Sequence, residues 1–110
     1  MAETRESYAA SHRDRVNLAL HIVAVPLFVG AAAFLFVALV RGDVLDALAG
    51  VAGLGVSLAA QGLGHRREAV GPAPFSGAWD AVTRVPVEQF WGFWVFVLSG
   101  AWWRALRRAR

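Results

Sequence analysis

Apolar residues fill most of this chain in long blocks, and polar residues fall between the blocks and at their ends. The blocks 16–40 and 44–64 are each long enough, as helices, to cross a hydrocarbon core of about 30 Å. Only Arg41, Gly42 and Asp43 separate them, and glycine is common where a helix ends. The pattern therefore predicts two transmembrane helices joined by a tight turn into a helical hairpin over residues 16–64.

The second predicted helix is rich in glycine and alanine, which let helices approach closely in lipid. The small residues in its stretch 47–55 are Ala47, Ala49, Gly50, Ala52, Gly53 and Gly55. Because the turn between the two helices is short, we expect this small surface to pack against the first helix.

The remaining segments complete a single membrane domain over residues 1–110. A polar interfacial lead-in is predicted at 3–15, and a structured loop or interfacial helix at 71–84, where prolines and glycines interrupt the chain. The apolar block 85–103 predicts a third transmembrane helix. Residues 104–110 form a basic tail. The fold class predicted is all-α, a small multi-pass transmembrane bundle with a C-terminal apolar helix after the hairpin.

Composition supports a membrane protein. Hydrophobic residues make up 57% of the chain and charged residues 17%, and the mean hydropathy is +0.48. A soluble chain this small needs more polar surface than that. The chain has no cysteine, which excludes disulfides, thiolate metal sites and cysteine nucleophiles. Any metal must be held by nitrogen or oxygen ligands.

The net charge of +3 comes from arginine alone. The basic tail follows an aromatic pair, which is typical of a membrane headgroup zone, and no basic stacking surface accompanies it, so nucleic acid is not an expected partner. Arginines near the N-terminus and in the central loop predict that both lie on the cytoplasmic side, in a bacterial inner membrane. Three crossings would place the basic tail on the opposite side. Either residues 72–84 dip into the membrane or the last segment is tilted or re-entrant.

Two polar stripes mark the same end of the predicted hairpin. The first consists of Asp14, Asn17 and His21, and the second of Gln61, His65 and Glu68. Within each stripe the spacings of three and four residues place the side chains on one helix face. With His12, these stripes hold every histidine of the chain. Polar groups at a membrane rim are costly unless something binds them, so the stripes predict a ligand site.

Neutral imidazoles with a carboxylate and open positions suit Fe(II), Mn(II) or Zn(II), and two histidines with one carboxylate suit oxygen-activating iron. His12 alone also fits a headgroup contact or a helix cap. Arg66 and Arg67 could hold a substrate carboxylate or phosphate, or they could simply mark the cytoplasmic loop. The residues themselves leave these alternatives open.

The polar pattern also resembles a known family. The residues that carry the resemblance are Tyr8, His12, Asn17, His21 and Pro26, followed by Gln61, Gly64, His65, Glu68, Pro72 and Ala73. This spacing is similar to that of the family of the yeast 2-hydroxy fatty acid dioxygenase of phytosphingosine breakdown, which consists of small multi-pass membrane proteins. The resemblance implies an Fe(II)-dependent enzyme that converts a 2-hydroxy acyl chain and dioxygen to carbon dioxide and a fatty acid one carbon shorter.

The resemblance also implies roles for individual residues. His12, His21 and His65 would be the Fe(II) ligands. In the hypothesis built on this ligand set, the catalytic residues are Glu68, Gln61 and Asn17. Glu68 or Gln61 would complete or orient the ligand shell, and Arg66 or Arg67 would meet the substrate carboxylate. The expected partners are the bilayer and a lipid or fatty acyl substrate, and homo-oligomer formation is left open.

Two other functions remain as alternatives. The first is a non-catalytic membrane protein that binds lipid or packs helices, with a polar cluster that only grips headgroups. The second is a small proton-coupled transporter subunit, which also uses histidine and glutamate inside the membrane. A transporter needs a path across the bilayer, whereas these polar residues gather at one end.

Overall fold

A long antiparallel helical hairpin dominates the fold. The computed structural model describes residues 5–69, 71 and 74–109, and within these ranges the chain forms helices and turns without a strand. The elements are α1 (Arg5–Ala10), α2 (Arg15–Arg41), α3 (Val44–His65), α4 (Ala78–Val87), a π-helical turn (Glu88–Gly92), α5 (Phe93–Leu98) and α6 (Ala101–Arg108). The predicted all-α fold class is confirmed.

Local capping signals set the turn of the hairpin. Gly42 ends α2 in the left-handed conformation, with φ of 69°, and its N–H donates to the carbonyls of Ala38 and Leu39. The side chain of Asp43 then accepts a hydrogen bond from the Asp46 N–H at the start of α3. A side chain at position 42 would be strained in this conformation, so glycine is needed for the tight reversal.

Small residues bring α2 and α3 into close contact. A Cβ atom added to Gly50 would lie 2.9 Å from the Cβ of Leu35, and one added to Gly53 would lie 3.0 Å from that of Ala31. The predicted small-residue packing holds at these two positions. Gly55 differs, because it faces open space with no described atom within 4 Å of an added Cβ.

The outer faces of the hairpin remain apolar and exposed. Both α2, with 27 residues, and α3, with 22, are long and apolar enough to cross a membrane. Only 28% of the most apolar 18-residue stretch of α2 is buried, and only 17% of that of α3. Side chains such as Val23 and Leu45 are 69% and 79% exposed. A core helix of a soluble protein would be mostly covered, whereas hydrocarbon solvates such a surface.

The C-terminal apolar segment is helical, but residues 85–103 do not form one helix. Helical structure begins earlier, at Ala78, and ends at Leu98. Gly100 adopts a left-handed conformation, with φ of 83°, and turns the chain before α6. Glycine in this conformation is a common helix stop, which explains why the apolar pattern continues while the helix does not. Arg110 of the basic tail and Pro72 and Ala73 of the loop lie outside the described residues.

The predicted loop at 71–84 is anchored by a buried arginine. The Arg84 side chain forms ion pairs with Asp80 at 3.6 Å and Glu88 at 3.3 Å, and donates to the Pro74 carbonyl. Its guanidinium carbon lies 4.4 Å from the centre of the Phe75 ring. Arg84 and Glu88 are therefore structural partners that fasten the loop to α4.

The last helices cover the open end of the hairpin. Buried apolar side chains pack together there and form the hydrophobic core, which consists of Tyr8, Leu18, Val25, Phe93 and Phe96. The indole N–H of Trp102 donates to the Leu18 carbonyl at 3.1 Å, which ties α6 to α2. This packing places α1, the first turns of α2 and the end of α3 beside the aromatic face of α5.

Candidate metal centre

Three histidines from three separate segments meet at the open end of the hairpin. His12 follows α1, His21 lies in the second turn of α2, and His65 is the last residue of α3. Their ring centroids are 4.6 to 4.8 Å apart. One nitrogen from each ring can be chosen so that the set lies within 4.8 Å of one another. The sequence prediction that His21 and His65 approach within the reach of a shared ligand agrees with this geometry.

Some ring nitrogens of the cluster contact backbone carbonyls, and others have no hydrogen-bond partner among the described residues. Nδ1 of His12 contacts the Tyr8 carbonyl, and Nδ1 of His21 contacts the Asn17 carbonyl at 3.0 Å. A carbonyl can only accept a hydrogen bond, so in each pair Nδ1 carries the hydrogen and donates, which leaves Nε2 as the nitrogen with a free lone pair. Nε2 of His12 and Nδ1 of His65 are buried without a hydrogen-bond partner among the described residues.

Burial favours the neutral form of His12. The side chain is 2% exposed, and burial lowers the pKa of His12 well below its usual range, with the neighbouring His21 lowering it further. A neutral imidazole offers the lone pair that a metal ion requires. At neutral pH this residue is therefore in the form that can act as a ligand.

Local packing fixes the positions of the rings. Tyr8 and His12 are four residues apart and their rings stack at 4.0 Å with an angle of 12°. On the other side, Gly64 lets α3 approach Asn17 so closely that an added Cβ would lie 3.2 Å from the Asn17 Cα. A side chain there would push the end of α3, and with it His65, away from His21.

Glu68 supports the site without facing it as a ligand. Its carboxylate accepts hydrogen bonds from the backbone N–H groups of Arg13 and Asp14 and, at 2.6 Å, from the side-chain amide of Asn17. These bonds occupy both carboxylate oxygens. The arrangement of two histidines and one carboxylate is thus not formed, and the structure brings together three imidazoles. Glu68 instead acts through Asn17. It binds the Asn17 side chain, and the backbone carbonyl of Asn17 accepts the hydrogen bond from His21.

The two candidate arginines lie in different environments. The Arg67 Nε donates to Asp14 at 2.9 Å, and the Arg67 side chain is 54% exposed. Burial raises the pKa of Asp14, but the hydrogen bonds from Arg67 and from the Asn17 N–H outweigh it and lower the pKa below its usual value. Arg67 therefore joins α2 to the end of α3, while Arg66 is exposed next to His65.

Gln61 belongs to a second buried polar centre. Its amide and that of Gln89 exchange two hydrogen bonds of 2.8 Å, and Gln61 also donates to the Ser57 hydroxyl. Ser57 in turn donates to the Ala24 carbonyl. This glutamine ladder joins α2, α3 and the π-helical turn. Its bonds assign Gln61 a structural role.

Sequence reasoning missed the aromatic cover of the histidines. The Phe96 ring lies 5.8 Å from that of His12 and the Phe93 ring 6.4 Å from that of His21, and both phenylalanines are buried. It also missed Gln89 as the partner of Gln61. A signal for that pair was present, because polar side chains in apolar helices tend to hydrogen-bond across helices. No comparable signal separates Phe93 and Phe96 from the other aromatic residues around them.

The three imidazoles, two of which carry a buried nitrogen without a hydrogen-bond partner among the described residues, form a donor set that suits zinc, iron and other divalent transition metals. Comparison of the chain with protein-family models, curated proteins and solved structures found no match. Evidence for function therefore comes from the geometry of this site and from the sequence pattern around it.

Proposed function

We propose that the protein is an integral membrane enzyme that binds Fe(II) on His12, His21 and His65 and oxidises a 2-hydroxy fatty acid. The observation that carries the proposal is the cluster of three imidazoles, two buried and one half-buried, whose candidate ligand atoms lie within 4.8 Å of one another. The choice of substrate rests on the resemblance of the polar pattern to the 2-hydroxy fatty acid dioxygenase family.

The unpartnered nitrogens support a bound cation. Leaving a buried polar atom without a partner costs about 1–3 kcal/mol, and two such nitrogens occur within this cluster. Metal-bound histidines usually donate the other ring N–H to a carbonyl or carboxylate. The contacts of His12 with Tyr8 and of His21 with Asn17 have this form.

The proposed reaction consumes one 2-hydroxy acid and one dioxygen. It breaks the bond between C1 and C2 and yields a carboxylic acid one carbon shorter, carbon dioxide and water, so atoms and electrons balance. Bound Fe(II) would supply the activation of dioxygen. The chain holds the imidazoles in place, Phe93 and Phe96 exclude water from them, and exposed Arg66 is the candidate contact for the substrate carboxylate.

A membrane location supplies the substrate. The exposed apolar faces of α2 and α3 would lie among acyl chains, and the histidines would lie at the end of the hairpin where carboxyl groups gather. Two crossings also agree with the arginine distribution, because they return the chain to the side on which it began. We propose that this side, with the N-terminus and the central loop, is cytoplasmic in a bacterial inner membrane.

Conversion of a defined substrate tests the proposal. The purified protein, loaded anaerobically with Fe(II), would receive 2-hydroxypalmitate and then air, and mass spectrometry would follow the products. We expect pentadecanoate in the wild-type protein and none with palmitate, which lacks the hydroxyl group. A His21→Gln variant should lose the activity. Absence of pentadecanoate from iron-loaded protein would refute the reaction, and turnover by His21→Gln would refute the site.

The competing function is a non-catalytic module that binds lipid or packs helices. The glutamine ladder favours helix packing, because it joins three segments and has no unpartnered nitrogen among the described residues. Such a module would tolerate glutamine at positions 21 and 65 with unchanged stability and would hold no stoichiometric metal. The same purified variants therefore separate the two functions.

A further inference from the structure

A basic groove lies between the end of α1 and the face of α6. It has a volume of about 490 Å³ and its wall carries the side chains of Arg13, Arg104 and Arg108. Arg13 comes from the segment that joins α1 to α2, whereas Arg104 and Arg108 are one helical turn apart on α6. A volume of this size is within the range of small-molecule sites, about 300–1,000 Å³.

The floor of the groove is apolar. Ala101 and Ala105 lie on the same face of α6 as the two arginines, and Ala9 and Phe96 complete the floor. The spacing of three and four residues along α6 explains the shared face. An occupant with an anionic head and an apolar body therefore matches the groove better than a simple ion does.

The charges of the groove call for an anion. Among the described residues, its lining contains the three arginines and no carboxylate. One nitrogen of Arg104 donates to the Ser99 carbonyl at 3.3 Å, which positions the guanidinium and leaves its other N–H groups available. Like charges held around one cavity repel each other, and an anion between them relieves the repulsion.

We propose that this groove binds the headgroup of an anionic phospholipid from the surrounding bilayer. The neighbouring Trp102 and Trp103 rings stack at 5.7 Å, and tryptophan is enriched at the level of lipid headgroups. The phosphate would lie between the arginines, and the glycerol and first acyl carbons would lie on the alanines and Phe96. This site goes beyond the proposed oxidation and requires no metal.

The groove and the histidines share one residue. Phe96 lines the groove and its ring is 5.8 Å from the ring of His12. A bound lipid would therefore contact the side chain that covers the histidine cluster. Loss of lipid binding and loss of metal binding nevertheless remain separable, because none of the three arginines is among the proposed metal ligands.

Native mass spectrometry of the metal-free full chain tests the proposal. Protein in a neutral detergent would be mixed with dioleoyl phosphatidylglycerol or dioleoyl phosphatidylcholine. We expect one phosphatidylglycerol per chain, with an affinity at least about tenfold above that for phosphatidylcholine. The double variant Arg104→Gln/Arg108→Gln should lose this preference. Arg107→Gln is the matched control for the single variants Arg104→Gln and Arg108→Gln, because each of the three removes one positive charge from α6, and it should keep the preference that the groove variants weaken.

Arg13→Gln tests the opposite wall. The backbone N–H of Arg13, and not its guanidinium, donates to Glu68, so this variant keeps the structural contact and should still lose the preference. Equal losses in Arg107→Gln and the groove variants would indicate general surface charge and overturn the site. Equal or tighter binding of oleate or inorganic phosphate would overturn the assignment to a phospholipid.

Discussion

Two polar centres connect α2 with α3, and they differ in whether their polar atoms are paired. In the glutamine ladder, the amides of Gln61 and Gln89 are paired with each other and Ser57 is paired with the Ala24 carbonyl. In the histidine cluster, Nε2 of His12 and Nδ1 of His65 have no partner among the described residues. Both centres join α2 and α3, yet only the histidine cluster contains ring nitrogens without a hydrogen-bond partner among the described residues.

The difference in hydrogen bonding indicates different roles for the two centres. A satisfied polar network fixes the packing of helices and gains nothing from a ligand. An unsatisfied one is stabilised by any ligand that supplies the missing bonds. The ladder therefore has a structural role, whereas metal binding is the role proposed for the cluster, and changes made in each centre should have different consequences.

Removal of one imidazole should have the largest effect. His65→Ala takes away one ligand atom, and we expect metal content to fall from about one ion per chain to near zero. The loss of affinity should exceed the roughly 10–100-fold that is typical when a residue behind a ligand is changed. Elemental analysis after gel filtration measures it. Gln61→Leu, one turn earlier on α3, is the control and should retain the metal, so equal losses in both variants would remove the distinction between the centres.

A methyl group at the contact between the helices should affect both fold and site. Gly64→Ala would place a Cβ 3.1 Å from the Cγ of Asn17, and such overpacking costs about 1–3 kcal/mol. Because Asn17 holds His21, metal affinity should fall as well. Thermal unfolding in detergent and metal titration provide the two readouts.

Gly62 is the matched control for Gly64. It lies on the same helix, and no described atom lies within 4 Å of an added Cβ. We expect Gly62→Ala to stabilise the protein by about 0.5–1 kcal/mol, because alanine favours the helix. Destabilisation by both substitutions to a similar extent would indicate that close approach at Gly64 is not required.

Substitutions of the two glutamines in the ladder should have coupled effects on stability. Gln61→Leu leaves the Gln89 amide buried without its partner, at a cost of about 1–3 kcal/mol. The double variant Gln61→Leu/Gln89→Leu removes both amides, so most of the loss should be recovered, and metal binding should persist in every variant. A double-mutant cycle of unfolding free energies measures the coupling, and additive losses would argue against a ladder.

The ion pair between Arg67 and Asp14 should have the smallest effect. Arg67 is about half exposed, so Arg67→Gln should cost at most about 1 kcal/mol. The pKa of Asp14 is lowered in the folded chain, so its stabilising contribution is complete above the unfolded value of about 3.9. The contribution is lost as the pH falls through the lower folded value. Melting curves should differ at pH 7 and converge in acid, and a difference that persists there would exclude this ion pair as its cause.

Much of the fold could be predicted because its signals are local. The length of the apolar blocks and the sequence Arg41-Gly42-Asp43 predict both the hairpin and its turn, and α2 and α3 agree with the predicted bounds to within one residue. The meeting of His21 with His65 follows from the same turn, since antiparallel helices of similar length return to the same level.

Other features depend on contacts that spacing does not reveal. Glu68 shares a helical spacing with His65, yet its carboxylate binds the N–H groups of Arg13 and Asp14, more than fifty residues away in the chain. Asp14 is the N-cap of α2 and Arg13 precedes it, so neither of these N–H groups donates within the helix. The break at Gly100 was also missed, because the residues around it are as apolar as those of a continuous helix.

X-ray absorption spectroscopy of the metal-loaded protein tests the central claim most directly. With zinc as the probe metal, a centre formed by His12, His21 and His65 should show multiple scattering from about three imidazole rings at metal–nitrogen distances near 2.0–2.1 Å. The His65→Ala variant should lose this spectrum, while Gln61→Leu should reproduce that of the wild type. A metal environment without imidazole scattering, or one unchanged in His65→Ala, would contradict the three-histidine centre.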